Sequence, residues 1–127
     1  MSNIPADLHY SPSHQWVSDL IDDIVAVGIT DFAQQALGDV VFVEFPALGK
    51  SVAKDHACAV VESVKSASDV YAPLSGTIVE INAALESAPE RINLAPYDAW
   101  LFKIKLADAH ERQSLLDAQA YRELTAE

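Results

Sequence analysis

The residues best placed to do chemistry lie in the stretch Glu62-Ser63-Val64-Lys65-Ser66-Ala67-Ser68-Asp69-Val70-Tyr71-Ala72-Pro73. Lys65 stands among small and polar neighbours, with Glu62 on one side and Asp69 on the other. Apolar strand-like runs precede and follow, so the middle of the stretch reads as the tip of a β-hairpin. Ser66 and Ala67 leave a primary amine there uncovered and open to a modifying enzyme. An exposed lysine is, by itself, more often a solvated charge balanced by nearby acids. The five lysines of the chain can be compared. Lys50 and Lys54 fall in or beside an ordinary loop, and Lys103 and Lys105 fall on a strand face. Only Lys65 combines a hairpin tip with acidic residues on both sides.

Other reactive side chains carry weaker signals. His56 and Cys58 are two apart and on a strand would share a face, but no third and fourth ligand stands at metal-site spacing. No acid is placed to orient a base for a nucleophilic Cys58, so a buried thiol on a small-residue strand is the expectation. His14 has no such partners either. Trp16 and Trp100 read as core or cleft walls, and His110-Glu111-Arg112 as a solvated helix start.

The elements that must hold Lys65 are mostly strands. Ile24 to Ile29 is a β-rich run. Thr30 and Asp31 can cap a short helix through Phe32 to Leu37, stopped by Gly38. Val40 to Phe45 is dense in β-branched and aromatic residues and ends at Pro46. Leu48-Gly49-Lys50 is a turn, and Ala57 to Val61 is a small apolar strand. Val70 to Ala72 and Thr77 to Ile81 are strands separated by the turn Pro73-Leu74-Ser75-Gly76. Trp100 to Leu106 alternates, with Phe102, Ile104 and Leu106 inward and Lys103 and Lys105 outward. From Asp108 onward, Leu115, Leu116, Ala118, Ala120, Tyr121 and Leu124 offer a helical apolar stripe. Short strands, frequent turns and peripheral helices point to a mainly β fold, a small β-sandwich or flattened barrel with a C-terminal helix.

Composition sets outer limits. The 127 residues suit one domain over residues 1–127, and 50% hydrophobic content is enough for a packed core. A formal net charge of −11 opposes binding to nucleic-acid phosphates or an anionic membrane and favours encounters with basic protein surfaces. The single cysteine excludes an internal disulfide and fits a reducing compartment. No apolar stretch approaches the roughly 20 residues that cross a bilayer. Met1 to Tyr10 shows neither a signal peptide nor an Arg-rich transit pattern, so the expectation is a complete, cytoplasmic chain.

The segment ESVKSASDVYAPLSGTIVEIN resembles the lipoylation segment of the glycine cleavage system H proteins. GITDFAQQALGDVVFVEFPALG is similar to that family's block ahead of the lipoyl hairpin. SHQWV resembles its entry strand, and PERINLAPYDAWLFKIK its later block running through Pro-Tyr to a Trp. Together these cover Ser13 to Lys105 in the family's order and spacing.

The resemblance implies a lipoyl-domain-like fold with lipoate joined by an amide to Lys65, Glu62 and Asp69 being the candidates for recognition beside it. It implies a non-catalytic carrier. A pyridoxal-phosphate glycine decarboxylase would load the lipoyl group with the aminomethyl unit of glycine. A tetrahydrofolate-dependent aminomethyltransferase would unload it, dihydrolipoamide dehydrogenase would reoxidise the dithiol, and a lipoate-attaching enzyme would install the group. The loaded arm is expected to fold against a surface cleft that excludes water. Gln15 stands where the family has Glu before the entry-strand Trp, and an amide there supplies no charge for an ammonium group. Asp98-Ala99 and Lys54-Asp55 replace positions where the family favours glycine. Two alternatives stand beside the carrier. One is a lipoyl or biotinyl domain of a 2-oxo acid dehydrogenase type complex, weakened by the absence of a D-K-A or M-K-M tripeptide. The other is an unmodified H-like interaction protein, which an intact Lys65 hairpin opposes, or a lipoate relay, which it does not oppose.

Overall fold

A computed structural model describes residues 3–125. Among the described residues, nine strands form two antiparallel sheets. The larger sheet has the order β1 (His9–Tyr10), β2 (Gln15–Val17), β3 (Ile24–Ile29), β9 (Phe102–Leu106), β8 (Gly76–Ile81) and β5 (Ser51–Val52). The smaller has β4 (Val40–Glu44), β6 (Ala57–Ser63) and β7 (Ala67–Tyr71). The helices are α1 (Asp31–Leu37), α2 (Ala84–Ser87), α3 (Arg91–Leu94), a 3-10 helix (Ala109–Ser114) and α4 (Ala118–Thr125).

The expected flattened β-sandwich is present because the period-two pattern of each sheet turns one apolar face inward. Val25, Val27, Ile78, Phe102 and Ile104 of the larger sheet meet Val43, Val61 and Val70 of the smaller in one core. Lys105 lies on the exposed face, as the alternation of β9 requires. A second cluster sits on the opposite face of the larger sheet, where Tyr10 and Trp16 pack against Ala118 and Tyr121 of α4.

Local chemistry fixes the ends of α1. Thr30 is its N-cap, accepting a hydrogen bond from the Ala33 amide, and Gly38 ends it at φ 83°, a left-handed conformation that suits glycine. Both strands of the lysine-bearing hairpin are longer than their composition suggests. β6 runs to Ser63 rather than Val61, and β7 begins at Ala67 rather than Val70. Ser, Ala and Asp are poor strand formers, but backbone pairing such as Val61 with Ser68 and Glu62 with Ala67 overrides that preference.

Two other expectations change. The C-terminal stripe is not one helix: after the 3-10 helix, Leu115 is extended, and Leu116 exchanges two backbone hydrogen bonds with Tyr10 (2.8 and 2.7 Å). Only Ala118 and Tyr121 then bury on α4, while Leu124 is exposed. Glu111 is not a solvated charge; its carboxylate accepts from the Ser75 amide (2.7 Å) and hydroxyl (3.1 Å), tying the 3-10 helix to the β7–β8 turn. Strands β1 and β5 and helices α2 and α3 were too short to register as periodic runs.

Gly76 shows why one turn residue is also a strand residue. A Cβ there would lie 2.1 Å from the Lys105 carbonyl oxygen and 2.6 Å from Ile104 Cγ2. The β8–β9 pairing cannot yield without losing its register. Gly76→Ala is expected to lower stability by about 2 kcal/mol or more in urea denaturation, and a value near zero would mean that the sheet relaxes freely at this point.

Candidate functional site

Lys65 occupies the centre of a three-residue tip, Val64 to Ser66, between β6 and β7. Ser63 builds the tip. Its backbone N–H donates to the Ser66 carbonyl (2.7 Å), and its hydroxyl donates to the same carbonyl (3.2 Å). The Ser63 hydroxyl oxygen also accepts from the amides of Lys65 (3.3 Å) and Ser66 (3.2 Å). One buried serine therefore replaces the glycine-based chemistry of a tight hairpin, a local hydroxyl-to-backbone pattern that competes well at turns. The Lys65 side chain is exposed, and its amine has no hydrogen bond or ion pair among the described residues. Two other lysines are engaged: Lys54 Nζ donates to Ser114 (2.7 Å), and Lys103 pairs with Glu80 (3.5 Å) and lies over the Trp100 ring (4.8 Å).

The tip is fastened to the rest of the molecule at the α1–β4 corner. Val64 N–H donates to the Asp39 carbonyl (3.0 Å). The corner itself is held by Asn93 of α3, whose Oδ1 accepts from the Val40 amide (2.8 Å). Its Nδ2 donates to the Gly38 carbonyl (2.8 Å) and to Gln34 Oε1 (2.9 Å). Position 38 also borders the lysine, since a Cβ there would sit 3.5 Å from Lys65 Cε.

A cleft of about 260 Å³ opens beside the tip. Its apolar lining comes from Phe32, Ala33, Ala36 and Leu37 of α1 with Val61 and Val70 of the hairpin. Ser13, His14 and Gln15 also line it, as do Ser66 to Asp69, which follow Lys65 in the chain. Asp69 is the one carboxylate among the lining residues.

Gln15 is 2% exposed and its amide is already engaged. Oε1 accepts from the Ser11 hydroxyl (2.5 Å) and the Ser13 hydroxyl (2.7 Å), and Nε2 donates to the Ser13 carbonyl (2.9 Å). A carbonyl can only accept, so that last bond fixes which end of the amide is nitrogen. Both lone pairs of Oε1 are thus in use, and Gln15 has no acceptor to give to a cationic group in the cleft.

The expected pair Glu62 and Asp69 do share a face, but it is the outer face of the smaller sheet. Glu62 lies opposite Phe42 and Ala67, and Asp69 opposite Val60. Glu62 is therefore beside the tip without lining the cleft, while Asp69 reaches the cleft rim. His56 is exposed ahead of β6, and a bulge follows it between Ala57 and Ala59. Cys58 is half-buried, and burial pushes its thiol up to about 11, against a smaller opposing effect of Lys50. No cluster of three metal-ligating side chains exists among the described residues. Trp16 is core, donating from its indole to the Pro96 carbonyl (3.0 Å), and Trp100 borders a separate depression with Lys103. Sequence reasoning missed Ser63, whose type is common in loops, and Asn93, which meets Val40 across 53 residues and has no local signature.

A rigid β-sandwich that presents an uncovered lysine on a hairpin tip beside a cleft is the architecture of a carrier. The family model for the glycine cleavage H-protein matches residues 8–127. The glycine cleavage system H protein of Laribacter hongkongensis is 57% identical over 95% of this chain and 96% of its own length. That of Methylococcus capsulatus is 54% identical over the full length of both. A crystal structure of a glycine cleavage system H protein from Mycobacterium marinum superposes with a TM-score of 0.88 at 38% identity, covering 98% of this chain and 100% of that one. The chain belongs to the glycine cleavage H-protein family, and its role is that of a lipoyl carrier in the glycine cleavage system.

The corner that seats the tip is open to mutation. Asn93→Ala strips the Val40 amide and the Gly38 carbonyl of their partners and is expected to cost about 2 kcal/mol. Hydrogen exchange should accelerate at Val40 and Val64 more than in the sandwich core, and uniform acceleration would show that the corner is not a local fastening.

Proposed function

We propose that Lys65 carries lipoate through an amide on its side-chain nitrogen, and that the adjacent cleft seats the arm once it is loaded. The carrying observation is an unpartnered lysine next to Ser66, which lines a cleft whose apolar lining suits such an arm. The apolar face of α1 accepts an aliphatic chain, and the rim supplies a single negative charge. When bound, lipoate supplies a dithiolane that takes up the aminomethyl unit of glycine and is reoxidised after that unit is passed on.

The residues of the chain then divide the work. Ser63 and the Asn93 corner hold the attachment point at a fixed distance from the cleft. Phe32 and Leu37 keep water from a seated arm. Asp69 is the partner for its ammonium group, because the Gln15 amide oxygen is saturated by Ser11 and Ser13 and carries no charge. Glu62, on the outer face beside the tip, is the recognition group for the lipoate-attaching enzyme. The chain performs no covalent step itself; it presents one arm in turn to a glycine decarboxylase, an aminomethyltransferase and dihydrolipoamide dehydrogenase, at high local concentration when docked. Its net charge of −11 suits docking on basic enzyme surfaces. On this reading residues 1–127 act as one domain in the cytoplasm, and no helix among the described residues is long and apolar enough to cross a membrane.

Intact-mass analysis of the protein from a lipoate-proficient host should show one lipoyl adduct, absent in Lys65→Arg. Purified glycine decarboxylase should then reduce the modified protein in a glycine-dependent reaction. An unmodified wild-type chain would contradict the proposal, and reduction by 2-oxo acid dehydrogenase components instead would favour a lipoyl domain of that class.

A further inference from the structure

Helix α1 gives the cleft four of its apolar lining residues, yet none of its seven residues is buried. A helix this short is marginal by itself in water, so contacts at its ends must hold it in place. The Asn93 corner holds the C-terminal end. The N-terminal end has a separate fastening, and Asp31 carries both halves of it. Its backbone amide, one of those a helix leaves unpaired at its start, donates to the Tyr97 hydroxyl oxygen (3.1 Å). Its carboxylate accepts from the Asn3 amide at Oδ2 (2.8 Å) and from Gln34 Nε2 at Oδ1 (2.7 Å). The Tyr97 hydroxyl closes the ring by donating to the Asn3 carbonyl (2.5 Å).

Chemistry fixes every direction in this ring, because a backbone amide can only donate and a carbonyl can only accept. Burial holds the Tyr97 hydroxyl above the usual tyrosine range, so it keeps the hydrogen that it donates. Residues 3–5 are themselves anchored beyond α1. Ile4 is buried in the cluster of Tyr10, Trp16 and Tyr121, and the Pro5 carbonyl accepts from the Tyr10 hydroxyl. Tyr97 is set from its own side as well. The Trp16 indole holds the preceding Pro96 carbonyl (3.0 Å), and the Trp16 and Tyr97 rings lie 6.3 Å apart. The first turn of α1 is thus tied to the second hydrophobic cluster by three hydrogen bonds that share their partners.

We propose that residues 3–5 form a strap that positions α1 along the cleft, with Tyr97 as the positioning residue that fastens it. The proposal rests on the carrier reading. A first turn that lifts carries Phe32 with it and admits water to the seated arm. Among the described residues the strap makes no hydrogen bond to the hairpin tip. It therefore governs how long a loaded arm stays protected, and not how readily lipoate is attached.

The test compares the lifetime of the glycine-derived unit on lipoylated, loaded proteins. Tyr97→Phe keeps the aromatic ring and removes two of the three bonds. Asn3→Pro removes the third by deleting the amide hydrogen. Glu111→Ala is the control, because it loses two hydrogen bonds to Ser75 and neither residue lines the cleft. Each strap variant should lose the unit roughly three- to tenfold faster than the wild type. The double variant should be no faster than the quicker single one, because the bonds act as one unit. Lipoate should attach at the wild-type rate, and Glu111→Ala should keep the wild-type lifetime. Unchanged lifetimes in the strap variants overturn the proposal. So do additive losses in the double variant, a parallel loss of lipoate attachment, or an equal shortening in Glu111→Ala. Failure of the carrier reading is distinguishable, because it appears as wild-type protein that acquires no arm. The hold on α1 is still read on that unmodified chain as faster hydrogen exchange of the α1 amides in Tyr97→Phe, and unchanged exchange there overturns the strap.

Discussion

The three hydrogen bonds of the Asn93 side chain are the constraint on which the site depends. They join α3 to the last turn of α1, to the Gly38 carbonyl and to the first amide of β4. The Gly38 carbonyl and the Val40 amide lie at element ends, where backbone partners run out and a side chain must supply them. With the corner fixed, the Asp39 carbonyl is in place to accept from Val64, and the hairpin tip is anchored at one point of its short loop. The lysine is therefore exposed without being loosely placed. A carrier whose arm must both leave the surface and return to it needs that combination.

The cleft obeys a related logic of restricted polarity. Its wall contains several polar residues, yet most of their hydrogen-bonding capacity is turned inward. Ser11, Ser13 and Gln15 satisfy one another, and the Tyr121 hydroxyl bridges Thr30 and His14. What remains for a ligand is an apolar helix face, with Asp69 the one acidic residue among those that line the cleft. In a partly enclosed space such a sparse set discriminates well, because each unmatched group on a ligand would lose its water without gaining a partner.

Much of this was legible in the sequence where local chemistry decides structure. The Thr30 cap, the Gly38 stop, the alternation of β9 and the isolation of Lys65 all follow from residue type and short spacing. The sandwich fold and the family followed from motifs covering Ser13 to Lys105. The parts that escaped depend on partners distant in the chain. Ser63, Ser68 and Asp69 look like loop residues until backbone pairing in the sheet draws them into strands. Glu111 looks solvated until Ser75, 36 positions away, is brought to its carboxylate. Asn93 and Tyr121 carry no local signal at all; their roles exist only after the two sheets, α1 and α4 have packed.

The central claim is that an arm rooted at Lys65 is seated, when loaded, between α1, the Ser13 to Gln15 segment and the lysine hairpin. A crystal structure of the lipoylated protein loaded with the glycine-derived unit tests this most directly. The account predicts the arm lying against Phe32 and Leu37 with its nitrogen at Asp69. An arm ordered on the outer face of the smaller sheet beside Glu62 and Phe42, or left in solvent with the cleft unchanged, would contradict it.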